Sequence, residues 1–166
     1  MMSNLNNLNS SKQGLIARKA AWEVLQAVAA GAYADIAINR VLGRFSLNES
    51  DRSLVLEITY GVIRNRNYLD SWIDFLGKVS AKNQPPLLRW LLHLGLYQIL
   101  KMEKIPASAA INTTVELAKS SQIRNLAPVV NALLREVIRS KSSGNRPAVA
   151  SSTVGRISQE QSLPEW

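Results

Sequence analysis

The sequence predicts an all-α fold, and three observations carry that reading. Apolar residues recur at intervals of three and four, hydrophobic residues make up 46% of the chain with aromatics at only 6%, and no stretch alternates with the period of two that a half-buried strand requires. At 166 residues the chain has enough apolar material for one domain with its own core.

The elements follow in order. From Leu15 to about Ala30, the residues Ala17, Ala20, Ala21, Val24, Leu25 and Val28 form one stripe, while Arg18, Lys19, Glu23 and Gln26 mostly turn away from it. Gly31 reads as the C-terminal cap, and Asp35 reads as the cap of a short helix through Ile36, Ile38, Val41 and Leu42 that ends before Gly43. The segment SLNES at Ser46 offers two overlapping starts for the next helix, Ser46 with Glu49 and Asn48 with Asp51. That helix continues through Leu54, Val55, Ile58 and Val62, and Gly61 marks a place where a neighbouring helix can come close. Tyr68, Leu69, Trp72, Ile73, Phe75 and Leu76 carry a further apolar face that stops at Gly77.

After the linker from Lys78 to Gln84, Pro85 and Pro86 start a helix, because proline in the first turn forfeits no intrahelical hydrogen bond. That helix, Leu87 to Lys101, is apolar nearly all round and must be the element that the others wrap. Pro106 opens a helix with Ala110, Ile111, Thr114, Val115 and Ala118 inward. The last helix starts between Asn125 and Pro128, with Leu126, Val129, Val130, Leu133, Leu134, Val137 and Ile138 as its stripe. On another face Asn131, Arg135 and Arg139 stand four apart and line up.

These elements divide the chain into a disordered leader at 1–14, a folded domain at 15–140 and a flexible linker at 141–166. The leader is rich in Asn and Ser and lacks the apolar run of a signal peptide. The linker turns to Ser, Gly, Pro, Ala and Thr and reaches Leu163, Pro164, Glu165 and Trp166, where a further domain is expected to follow. Leu87 to Leu100, the most apolar segment, falls short of the roughly 20 residues of a membrane span. A cytoplasmic protein with no membrane association is therefore expected.

Charge narrows the partners. Twenty Lys+Arg against twelve Asp+Glu give a net charge of +8 and a pI near 10.1, which suits a polyanion such as nucleic acid. Between Pro85 and Arg146 nine basic residues face three acidic ones, so the surplus lies mainly on the last helices. Arg135 and Arg139 are the strongest candidates, because a guanidinium grips phosphate with two hydrogen bonds; a solvated helix face is the competing reading. Arg64 and Arg66, flanking Asn65, and Arg18 with Lys19 are further candidates for an RNA surface. There is no cysteine, which excludes disulfides, thiolate metal sites and a cysteine nucleophile. The single histidine, His93, lies among leucines with no second ligand in sight and reads as structural, so no metal site is expected. Trp22, Trp72 and Trp90 fall at core spacing. No glycine-rich phosphate loop and no Ser-His-Asp set supply a catalytic residue.

Six blocks occur in a telling order: ARKAAWEVLQAV from Ala17, DRSLVLEITYGVIR from Asp51, LDSWIDFL from Leu69, LRWLLHLGLYQIL from Leu88, IPASAAINTTVELAK from Ile105 and VVNALLR from Val129. Together they resemble the NusB/RsmB family over about Ala17 to Arg139. The wording is closer to the N-terminal module of the ribosomal-RNA cytosine-C5 methyltransferases than to the stand-alone antitermination factors. The resemblance implies about seven helices in two packed subdomains and a basic face for RNA, expected to be 16S rRNA, with Arg18, Lys19, Asn131 and Arg135 on family-block positions. It also implies that S-adenosylmethionine and the attacking cysteine belong to a separate methyltransferase domain, in a longer parent chain or in trans. An antitermination factor binding leader RNA and a ribosomal protein is the alternative, and a helical protein-interaction domain without an RNA role is the third reading.

Overall fold

The computed structural model describes residues 2–147, with side chains from residue 14 onward. Among them are seven α-helices: α1 (Met2–Ala29), α2 (Ala34–Arg44), α3 (Glu49–Arg64), α4 (Arg66–Leu76), α5 (Pro86–Lys101), α6 (Ala107–Lys119) and α7 (Ala127–Ser142). Single 3₁₀ turns at Ala81–Asn83 and Arg124–Leu126 lead into α5 and α7. No helix among the described residues is long and apolar enough to cross a membrane.

α5 is the axis of the packing. It touches α1, α3, α4, α6 and α7, and Leu88, Leu91, Leu92, Leu94 and Leu96 are each no more than 2% exposed. Around it, α1 packs on α2 and α3 to one side, while α6 packs on α7 to the other. Two glycines set how closely these layers approach. A Cβ on Gly61 of α3 would lie 2.0 Å from the Tyr97 ring of α5, and one on Gly95 of α5 would lie 2.8 Å from Leu134 of α7.

Local chemistry decides the helix ends. Gly31 adopts φ +111°, the left-handed region open to glycine, and lets Ala32 N–H reach Ala27 O at 3.0 Å and Gly31 N–H reach Val28 O at 3.0 Å, which closes α1. Of the two starts open to α3, the structure uses Asn48, whose side chain accepts from Asp51 N–H at 2.8 Å.

Several expectations are corrected. The stretch expected as a disordered leader is helical from Met2, since no proline interrupts it and adding turns to an existing helix costs far less than nucleating one. Asp35 does not cap α2; Tyr33 holds that position, and Asp35 in the first turn accepts the Tyr60 hydroxyl of α3. Gly43 lies inside α2, with open space around it and nothing to end the helix there. α7 runs to Ser142, past the expected boundary at 140, and residues 148–166 of the expected linker lie outside the described residues. On α6, Leu117 is buried and Val115 only half-buried, while Phe75 and Val129 are exposed although they sit in apolar stripes.

The contact at Gly61 is open to test. Replacing a helical glycine by alanine gains about 1 kcal/mol in propensity, but here the Tyr97 ring must leave its place, at about 1–3 kcal/mol. Gly61→Ala should therefore lower the Tm in a thermal melt followed by circular dichroism; a raised Tm would show that the ring does not hold α3 against α5.

Candidate nucleic-acid interface

α7 buries Val130, Leu133, Leu134 and Val137, and that choice leaves Arg135 and Arg139 bare on its outer side. Asn131 is half-buried, and its Oδ1 accepts from Arg135 Nε at 3.1 Å, which orients the guanidinium along the helix. Arg139 is also exposed, with one nitrogen 2.6 Å from Glu136 Oε1. An exposed pair of this kind is worth about 0–1 kcal/mol and yields readily to a phosphate. The three residues expected to line up on α7 thus form one continuous polar row.

Arg64 and Arg66 sit at a corner. α3 ends at Arg64, Asn65 N–H bonds back to Gly61 O at 3.1 Å, and α4 begins at once with Arg66. Both arginines are exposed, and the Arg66 guanidinium lies over the Trp90 ring of α5, 5.6 Å from its centre. Lys19 is exposed on α1. Among the described residues no hydrogen bond or ion pair joins Lys19, the α3–α4 corner and the α7 row to one another.

Arg18 is elsewhere than expected. It is 7% exposed, donating from Nε to Gln98 Oε1 of α5 at 2.7 Å and from Nη1 to Gly14 O at 3.0 Å. Burial lowers its pKa from the ordinary arginine value, opposed by the charge of Asp51. Its place one residue from Ala17 and three from Ala21 puts it at the edge of the apolar stripe, where a long side chain can reach inward as easily as outward. Arg18 ties α1 to α5 and is not a surface contact.

The sequence reading missed a second cluster. Asp70 of α4 accepts from Arg89 Nε at 3.1 Å and Nη2 at 2.5 Å, and from His93 Nε2 at 2.7 Å. Burial would raise the Asp70 pKa, but the hydrogen bonds from His93 and Arg89 outweigh it and hold the carboxyl below its usual range. His93 is fully buried, and burial pushes its pKa down against the pull of Asp70. A neutral imidazole donating from Nε2 to a carboxylate carries no proton on Nδ1, and Nδ1 has no partner in the structure. Arg89 also lies over Trp90, 4.8 Å from the ring centre. The available signal was the spacing: Arg89 and His93 stand four apart among leucines, so they share a face that needs an acid. No group of three or more His, Cys, Asp or Glu side chains that could hold a metal ion occurs among the described residues.

Both shifts make stability fall with acid, and the sign follows from which state binds protons first. His93 titrates below 6.5 when folded, so from pH 6.5 downward the unfolded chain takes up a proton that the folded one refuses. Asp70 adds a second loss as the pH falls through its depressed pKa, below 3.8. Urea unfolding should give constant stability above pH 7 and a decline beginning near 6.5; His93→Gln should flatten that upper decline, and an unchanged profile in the variant would assign it to other groups.

Comparison with known proteins places this geometry. The NusB family profile matches residues 15–139. The chain is 38% identical over 134 residues to the probable ribosomal RNA small subunit methyltransferase B of Synechocystis sp., covering 81% of this chain and 30% of that protein. It is 32% identical over 107 residues to the transcription antitermination protein NusB of Acetivibrio thermocellus, covering 63% of this chain and 72% of that one. The crystal structure of the antitermination factors NusB and NusE in complex with dsRNA superposes with a TM-score of 0.70 at 18% identity, covering 79% of this chain and 98% of that one. The chain thus spans about a third of the length of the methyltransferase relatives it matches.

Proposed function

The chain belongs to the NusB family, and on that premise we propose that it is a non-catalytic RNA-binding domain whose α7 row grips the phosphate backbone. The observation that carries this reading is the row itself: Arg135 and Arg139, oriented by Asn131 and Glu136, stand exposed on the most regular helix of a chain with net charge +8. Guanidinium groups spaced by one helical turn suit successive phosphates, and each phosphate neutralised releases counterions. The fold's likeness to a NusB seen with double-stranded RNA supports the same assignment. Lys19 and Arg64 extend the electrostatic footprint.

More finely, the domain positions 16S rRNA for a cytosine-C5 methyltransferase. Support comes from the 38% identity to a small-subunit methyltransferase of which this chain matches 30%. The chemistry then belongs to the rest of such an enzyme, acting in cis or in trans. In this reading S-adenosylmethionine and the attacking cysteine belong to that other part, and this chain has no cysteine of its own. One observation favours a second reading, a cytoplasmic antitermination factor that works with a ribosomal protein: the match to NusB reaches 72% of that protein's length.

Filter binding across a salt series tests the proposal, with helix-loop fragments of 16S rRNA and leader RNA as ligands. Replacing Arg135 and Arg139 together by Ala should weaken binding about tenfold at physiological salt and reduce the salt slope by about 1.4–1.8, from 0.7–0.9 per lost phosphate contact. Equal affinity and slope in the variant would remove α7 from the interface. Preference for the 16S fragments supports the methyltransferase reading, and preference for leader RNA in the presence of a ribosomal protein supports the other.

A further inference from the structure

Around Trp90 of α5 the charges do not balance. The Arg89 guanidinium lies 4.8 Å from the centre of its ring and the Arg66 guanidinium 5.6 Å, and the carboxylate of this cluster is Asp70, one turn beyond Arg66 on α4. Asp70 is taken by Arg89 and His93, and α4 has no acidic residue in its first turn. Arg66 is left exposed, with no carboxylate partner and no side-chain hydrogen bond among the described residues. We propose that Arg66 holds a backbone phosphate of RNA at the α3–α4 corner, and that Trp90 is the residue that positions it. The inference rests on the RNA-binding reading but on none of the α7 residues.

The ring separates Arg66 from an ordinary surface cation. Attraction of a guanidinium to the π face of an indole is electrostatic and uses up no N–H, so its donors stay open to phosphate oxygens. Holding the side chain against a half-buried ring also removes freedom that a loose arginine loses on binding, so less of the contact's strength goes into ordering it. Trp90 is held in turn. Arg89, clamped to Asp70 by two hydrogen bonds, lies over the same ring, and that clamp ties α5 to α4, whose first residue is Arg66. A phosphate supplies the missing negative charge, and a polynucleotide that carries many suits a chain of net charge +8. Arg64, on the other side of Asn65, is exposed and lies over no aromatic ring among the described residues, which makes it the natural control.

The test is a double-mutant cycle on RNA affinity, measured with the full chain and a 16S rRNA helix-loop fragment across a salt series, with a thermal melt of every variant. Arg66→Ala should weaken binding about tenfold and lower the salt slope by about 0.7–0.9, one phosphate contact, with the Tm unchanged. Trp90→Leu leaves the cation in place, so the slope should hold while affinity falls about two- to fivefold, the worth of the ring to an exposed guanidinium. Trp90→Tyr keeps an aromatic face and should restore most of that loss. In the Arg66→Ala background Trp90→Leu should cost nothing further, whereas in the Arg64→Ala background it should cost its full amount. A ring that serves only the core would instead weaken RNA equally in every background. Unchanged affinity and slope in Arg66→Ala overturns the phosphate site, and a Trp90→Leu loss that persists without Arg66 overturns the positioning role. A wild-type chain that holds no RNA overturns this inference together with the reading beneath it; RNA retention that depends on Arg135 and Arg139 but is indifferent to Arg66 overturns this inference alone.

Discussion

Enclosing α5 on every side is the constraint from which the rest of the structure follows. A polar side chain on a helix shut off from water draws a partner from the helices around it, because burying one unpaired costs about 1–3 kcal/mol. α5 carries three such groups within its leucines. Gln98 takes Arg18 from α1, His93 takes Asp70 from α4, and Arg89 takes the same carboxylate with two hydrogen bonds. The ties cross from the central helix to two neighbours, Gln98 to α1 and both His93 and Arg89 to Asp70 of α4, so satisfying α5 also fixes where α1 and α4 lie.

That requirement sorts the cations of a strongly basic chain. Arg18 and Arg89 are used by the interior and its rim, one in the core and the other clamped to Asp70. Lys19, Arg64, Arg66, Arg135 and Arg139 remain at the surface. The α7 row exists because the opposite side of that helix is committed to Leu133, Leu134 and Val137 against the core, with Leu134 pressed toward Gly95 of α5. Packing therefore decides both which guanidinium groups stay at the surface and which hold the helices together, and net charge by itself does not distinguish them.

Much of this was legible in the residues. The period of three to four gives seven helices, the unbroken apolar run after Pro85 identifies the central one, and Gly61 and Gly31 announce a close contact and a helix end that the structure contains. The spacing of Asn131, Arg135 and Arg139 gives their shared face directly. What escaped depends on contacts between distant parts of the chain. Arg18 meets a glutamine 80 residues away, and nothing in its own helix says so, since its position at the stripe edge serves either direction. Asp70 joins His93 across 23 residues, and a lone histidine without its acid reads only as a core residue. Val129 belongs to the apolar stripe of α7 but lies exposed, a matter of helix rotation that periodicity leaves open. The α1 start shows the same limit from the other side, because composition rich in Asn and Ser does not report the helix it is attached to.

The most direct test is to measure Arg18→Met for stability and for RNA affinity side by side. Methionine keeps the apolar stem and removes the partner of Gln98, so the unfolding free energy should drop by about 1–3 kcal/mol, while the folded protein holds RNA as tightly as the wild type. A variant that keeps its stability and loses its hold on RNA would contradict the division between cations that build the core and cations that meet the ligand.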